Sequence, residues 1–137
     1  MVLHSAWVWV HIVLALKRKH SWDEVKGFSG EVAEMIAGLD PKRFVATMSK
    51  AQRKGRIFID YFRNHRGSTA ICPYSPRARA MATIATPVSW TELKTMPSAA
   101  AFTLKDMAAR LAEPDPWADY VKSAVTITKA ARSKLGL

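Results

Sequence analysis

A single carboxylate, Asp60, stands in the stretch Arg56-Ile57-Phe58-Ile59-Asp60-Tyr61-Phe62-Arg63-Asn64, among strand-forming apolar residues with an arginine on either side. Strand alternation would put Asp60 on one face with Phe58 and Phe62. A carboxylate on a half-buried face has to be ion-paired, protonated or bound to metal, because an isolated charge is expensive away from water. Between Lys42 and Arg79 there are ten Lys or Arg residues and no other acid. Just upstream, Ser49 to Arg56 combines small residues with Lys50, Arg53, Lys54 and Arg56, a composition that lets a phosphate approach closely and meet positive charge. Downstream, Arg77 and Arg79 follow two prolines, and a stiff arginine pair suits bidentate phosphate recognition. Without a ligand, these features also read as an ion-paired strand acid, a solvated basic turn and a charged surface loop.

The elements that must position these groups follow from periodicity. Trp7 to Leu16 reads as a buried strand; its Val, Trp and Ile content favours that over a signal or membrane anchor, and it is shorter than the roughly 20 residues of a spanning helix. Ser21 and Glu24 have capping-box spacing, and Trp22, Val25, Phe28, Val32, Met35, Ile36 and Leu39 then form an apolar helical stripe that Asp40-Pro41 stops. Phe44 to Met48 predicts a short strand, and Ala82 to Val88 another. Ser89 with Glu92 repeats the capping box, and Thr103 to Ala112 predicts a helix with Leu104, Met107 and Leu111 inward. A terminal helix is expected from Trp117 on. Helices and strands interleave, so the class is α/β or α+β.

The 137 residues suit one domain and, at 49% apolar content, can bury a core. Ten cations against one anion give +9 across Lys42 to Arg79, nearly the whole net charge of +10, so the basicity is regional. A regional field of this sign implies an anionic partner, nucleic acid first among them. The lone Cys72 excludes an internal disulfide and fits a reducing compartment such as the cytoplasm. His4, His11, His20 and His65 are scattered without zinc spacing.

Several segments in register carry a resemblance to a known family: His20-Ser-Trp-Asp-Glu-Val-Lys26, Asp40-Pro-Lys-Arg-Phe44, Thr47-Met-Ser-Lys50, Gly55-Arg-Ile-Phe-Ile-Asp-Tyr61, Arg63-Asn64, Pro73-Tyr-Ser-Pro-Arg-Ala-Arg79 and Asp115-Pro-Trp-Ala-Asp119. Together they resemble the primase-polymerase domain of the bacterial end-joining ligase D proteins, of the archaeo-eukaryotic primase superfamily, over roughly residues 10 to 120. The resemblance implies a mixed sheet with flanking helices and template-directed nucleotidyl transfer in double-strand break repair. It implies DNA and a nucleoside triphosphate as partners, no membrane, and a divalent metal, Mn or Mg. Under it Asp60 corresponds to a metal-binding catalytic carboxylate, Arg77 to the arginine on the triphosphate, and Arg53, with Lys50, Lys54 and Arg56, to the DNA-binding surface. Ser5 and His11 align with the family's nucleotide-binding Ser and His, the latter also counted with the catalytic set.

Two departures shape the expectation. Between Ser5 and His11 the family has glycines and a lysine, whereas this chain has Ala6-Trp7-Val8-Trp9-Val10. The family's Asp-x-Asp metal pair falls upstream of Met1 in this register, and a lone Asp60 cannot fix two ions. Residues 1–120 are therefore expected to form the C-terminal portion of such a domain, followed by a helical tail over 121–137. Its expected activity is incomplete polymerase chemistry or, alternatively, that of a nucleic-acid-binding remnant or one half of a split domain completed by another chain, such as a ligase or the N-terminal polymerase half.

Overall fold

A computed structural model describes residues 2–5, 9–78, 81–98 and 100–137. The chain forms two compact units, Met1–Leu16 with Ile71–Val125, and Lys17–Ala70 with Thr126–Leu137.

The first unit is built on a three-stranded antiparallel sheet in the order β2-β1-β3, where β1 is Val2–Ser5, β2 is Trp9–Ile12 and β3 is Thr86–Val88. The sequence predicted one continuous strand from Trp7 to Leu16; Trp7 and Val8 lie outside the described residues, and the strand observed is β2 alone, antiparallel to β1 with Leu3 opposite His11 and Ser5 opposite Trp9. Val10, Ile12 and Leu14 are exposed, so this stretch is not the buried strand expected. The buried centre lies at Thr83 to Val88, every residue of which is buried, with Ala15 and Met107. Ser89 opens α1 (Trp90–Thr95) with the expected capping box: its hydroxyl accepts from Glu92 N at 3.1 Å and Glu92 accepts from Ser89 N at 2.6 Å. The Thr103 to Ala112 helix divides into a 3₁₀ turn (Leu104–Asp106) and α2 (Met107–Ala112), and of its three expected inward residues only Met107 is buried. Leu104 and Leu111 are exposed, at 64% and 65%.

The second unit carries α3, Trp22–Leu39, whose capping box is formed by Ser21 and Glu24 as read from the spacing. Its buried residues are Gly30 and Ala33, while Trp22 and Leu39 at its ends are exposed. The small residues are buried because the neighbouring chain comes close: a Cβ at Gly30 would stand 3.0 Å from the Tyr61 ring. Beside this helix, β4 (Phe44–Val45) pairs in parallel with β5 (Ile57–Phe58), Phe44 opposite Ile57 and Val45 opposite Phe58. Both strands are shorter than predicted. The C-terminal segment is helical only at α4, Lys129–Lys134; the helix expected from Trp117 is replaced by turns, closed by bonds such as Tyr120 N to Trp117 O at 2.8 Å and Ala124 N to Val121 O at 3.3 Å. The segment is tied down by an Arg132–Glu31 ion pair, by Arg132 over Phe28 and by Ile127 N donating to His20 Nε2 at 3.0 Å.

Candidate nucleic-acid interface

The basic loop between β4 and β5 is a 3₁₀ turn, Ala51–Arg53, followed by Gly55, whose φ of +73° reverses the chain at no steric cost. Arg53 is the best-held cation in it. Its Nε donates to Thr47 O at 3.2 Å, its Nη2 to Met48 O at 2.8 Å, and its guanidinium lies 3.7 Å from the centroid of Phe58. All three contacts are with neutral groups, so Arg53 is oriented while its charge stays uncompensated. Nη1 makes no hydrogen bond among the described residues and is available to an outside acceptor. Lys50 and Lys54 are exposed, and Arg56 Nη1 donates to Pro41 O at 3.3 Å. Among the described residues none of these four forms an ion pair. The loop therefore concentrates positive charge at one edge of an open groove of about 500 Å³, whose lining includes Phe44, Thr47, Met48, Gln52, Arg56 and Phe62.

Asp60 lies just beyond the C-terminal end of β5, where the sequence placed it within a strand. It is exposed, and its Oδ1 accepts from Phe62 N at 3.1 Å. That side-chain turn ends the strand, since it gives the backbone a local acceptor in place of the ladder. The expected ion pair with a flanking arginine is absent among the described residues, and the carboxylate is solvated rather than half-buried. Phe58 and Phe62 do share a face, with ring centroids 6.3 Å apart, and Tyr61 stacks on Phe62 at 4.4 Å. Asp60 thus borders the aromatic platform on which Arg53 rests.

Among the described residues no three His, Cys, Asp or Glu side chains converge to hold a metal ion. Asp60, with one oxygen already used by the backbone, supplies a single carboxylate arm. This donor set does not fit a resident divalent metal, which takes six or more oxygen ligands.

The other expected site residues belong to the first unit. Ser5 and His11 sit on β1 and β2, two residue pairs apart in the hairpin register, and His11 is exposed. Arg77 leaves the Pro73–Pro76 loop, whose Tyr74 adopts φ +60° and whose hydroxyl donates to Asp115 Oδ1 at 3.2 Å. Burial, and then the Asp115 charge, push the Tyr74 phenol above its ordinary value. The loop pairs with the buried strand: Tyr74 N donates to Ala85 O at 2.7 Å, Ala85 N to Ser75 O at 3.1 Å and Arg77 N to Thr83 O at 2.9 Å. Arg79 falls outside the described residues. The sequence reading missed the carbonyls and the phenylalanine that hold Arg53. Carbonyls leave no sequence signal, but an aromatic five residues after an arginine, across a tight turn, does.

Residues 9–117 match the family of the LigD primase-polymerase domain. The chain belongs to that family. It is 39% identical over 130 residues to the multifunctional non-homologous end joining protein LigD of Pseudomonas aeruginosa, a match spanning 93% of this chain and 16% of that protein. To the bifunctional LigD of Bacillus subtilis it is 27% identical over 104 residues, 75% of this chain and 17% of that one. Its structure is similar to the polymerase domain of Mycobacterium tuberculosis ligase D solved in complex with DNA, with a TM-score of 0.81 and 26% identity over 90% of this chain and 43% of the other. The chain thus spans about a sixth of each of these two LigD relatives and less than half of that polymerase domain. The mixed helix and sheet architecture expected from the LigD resemblance is the one observed. No helix among the described residues is long and apolar enough to cross a membrane.

Proposed function

We propose that this chain is a DNA-binding part of a LigD-type primase-polymerase domain, acting in template-directed nucleotidyl transfer during double-strand break repair by end joining. The observation that carries the proposal is Arg53: a cation fixed by two carbonyls and an aromatic face, with its charge left over, amid three further cations. Such a group contacts phosphate oxygens without reading base sequence, as a polymerase's template surface must. Lys50, Lys54 and Arg56 add to the field, and Arg77 is the residue for a nucleoside triphosphate. Asp60 is the metal-directed carboxylate of the family, and Ser5 and His11 stand in the place of its nucleotide-binding pair. Since the described donors do not fit a resident metal, the chain by itself binds nucleic acid and performs little nucleotide incorporation. A cytoplasmic setting, with Mn or Mg supplied at a more complete site, completes the reading.

The deciding experiment measures binding to single-stranded and duplex DNA between about 50 and 200 mM salt, with primer extension in Mn²⁺ or Mg²⁺ alongside. Sequence-independent binding that weakens steeply with salt, is reduced by Arg53→Ala and survives Asp60→Ala is expected. Salt-insensitive binding would remove the phosphate-contact reading. Robust Asp60-dependent primer extension would overturn the statement that the chain alone lacks the chemistry.

A further inference from the structure

Arg77 Nε and the hydroxyl of Thr83, on the buried stretch that pairs with the Arg77 loop, are both buried and have no hydrogen-bond partner among the described residues. Thr83 is only 3% exposed. Pro76 is bridged antiparallel to Ile84, which makes Arg77 and Thr83 directly opposite residues, and Arg77 N donates to Thr83 O at 2.9 Å. Directly opposed residues of an antiparallel pair project to the same face with Cβ atoms about 4.5–5.5 Å apart. One of the two unsatisfied groups is a donor, and the other can accept. Leaving either without a partner is unfavourable, and a single bond between them would satisfy both.

We propose that Thr83 is a positioning residue for Arg77, its hydroxyl accepting from Arg77 Nε when the guanidinium engages a polyphosphate. That bond fixes the plane of the guanidinium and leaves both Nη groups free to point outward, the fork that a phosphate takes bidentately. The structure itself holds the two groups unbonded. Thr83 does not touch the ligand: its hydroxyl is buried and acts through Arg77. The inference rests on the reading of Arg77 as the triphosphate-binding residue.

The test uses the full chain and tripolyphosphate as the probe, followed by calorimetry or by competition against a labelled nucleotide. Thr83→Val removes the acceptor at nearly constant shape and is expected to weaken binding about tenfold, as loss of one charge-assisted hydrogen bond would, with thermal stability unchanged or slightly higher. Thr83→Ser restores the acceptor and should recover most of the affinity, a rescue that a purely packing role would not produce. Equal affinity of Thr83→Val and wild type, with Arg77→Ala impaired, overturns the role of Thr83 and leaves Arg77 standing. Should Arg77→Ala bind as wild type does, or wild type fail to bind tripolyphosphate saturably, the reading of Arg77 falls and the role of Thr83 with it.

Discussion

Arg53 and Arg110 are held in nearly the same way and end with opposite electrostatic outcomes. Each lies over a phenylalanine, Arg53 3.7 Å from the centroid of Phe58 and Arg110 5.3 Å from that of Phe102. Each donates to main-chain carbonyls, Arg110 through Nη2 to Pro87 O at 2.6 Å. Only Arg110 also meets a carboxylate, Glu92, and its side chain is 9% exposed. Aromatic stacking and carbonyl bonds orient a cation without cancelling it; a carboxylate cancels it. The region around Arg110 is therefore a closed structural joint binding α1, α2 and the end of β3, and the region around Arg53 is an oriented charge with no ion-paired counterion among the described residues.

The largest effect should come from opening the closed joint. Arg110→Met removes the charged hydrogen bonds to Glu92 and the bond to Pro87 O, and leaves a half-buried carboxylate without its cation. A loss of about 2–3 kcal/mol in unfolding free energy is expected, measured by urea denaturation. The slope of DNA affinity against salt should stay as in the wild type. A variant as stable as the parent would mean that Arg110 and Glu92 contribute no more than an exposed pair.

Arg53→Ala should show the reverse pattern. Loss of one phosphate contact lowers the slope of log affinity against log salt by about 0.9, and weakens binding alike for unrelated sequences. The cost in folding stability is expected to be about 1 kcal/mol or less, since the lost contacts are a cation–π stack and carbonyl bonds at a partly exposed site. Arg53→Lys keeps the charge but not the fork, so it should recover part of the affinity. A stability loss as large as that of Arg110→Met, with the salt slope unchanged, would show Arg53 to be a second closed joint.

A smaller effect separates the two regions by pH. Burial pushes the Glu92 carboxyl up, but hydrogen bonds from Arg110 and from the Ser89 backbone and hydroxyl outweigh it and hold the carboxyl below its ordinary value of 4.5. A carboxyl depressed in the folded state contributes stability above its unfolded value, and that contribution disappears as pH falls through the folded value. Wild type should therefore lose stability more steeply than Glu92→Gln as the pH is lowered below 4.5. Parallel acid profiles for the two proteins would contradict the coupling.

What the sequence made legible was whatever is decided within a few residues. Both helical capping boxes, Ser21 with Glu24 and Ser89 with Glu92, are local hydrogen-bond exchanges, and both are present as read. The regional charge of Lys42 to Arg79 and the family segments were equally readable, and the matched range of 9–117 nearly coincides with the roughly 10 to 120 expected. The failures involve choices made by distant partners. Trp7 to Leu16 has the composition of a buried strand, yet Val10 and Ile12 on β2 and Leu14 beyond it are exposed. Helix α3 buries Gly30 and Ala33 rather than its largest residues because Tyr61 approaches there, a contact between residues thirty-one positions apart. Glu92 was visible as a cap but not as the counterion of Arg110, eighteen residues away.

Asp60 gives the smallest and most discriminating prediction, because it borders the aromatic platform under Arg53 and is the one acid between Lys42 and Arg79. Its Oδ1 caps Phe62 N, a job that the side-chain oxygen of asparagine performs as well. Asp60→Asn should therefore fold with wild-type stability, whereas Asp60→Ala should lose a few tenths of a kcal/mol to about 1 kcal/mol. In DNA binding both variants remove one anion from a surface whose cations are uncompensated, so affinity at low salt should rise slightly rather than fall. The rise should shrink as salt screens the field. If Asp60 were instead a counterion that held Arg53 in place, both substitutions would free that arginine and DNA affinity would drop. The sign of the change at low salt, read from one titration of each variant, therefore decides whether the positive field around Arg53 is open as described or balanced by its nearest acid.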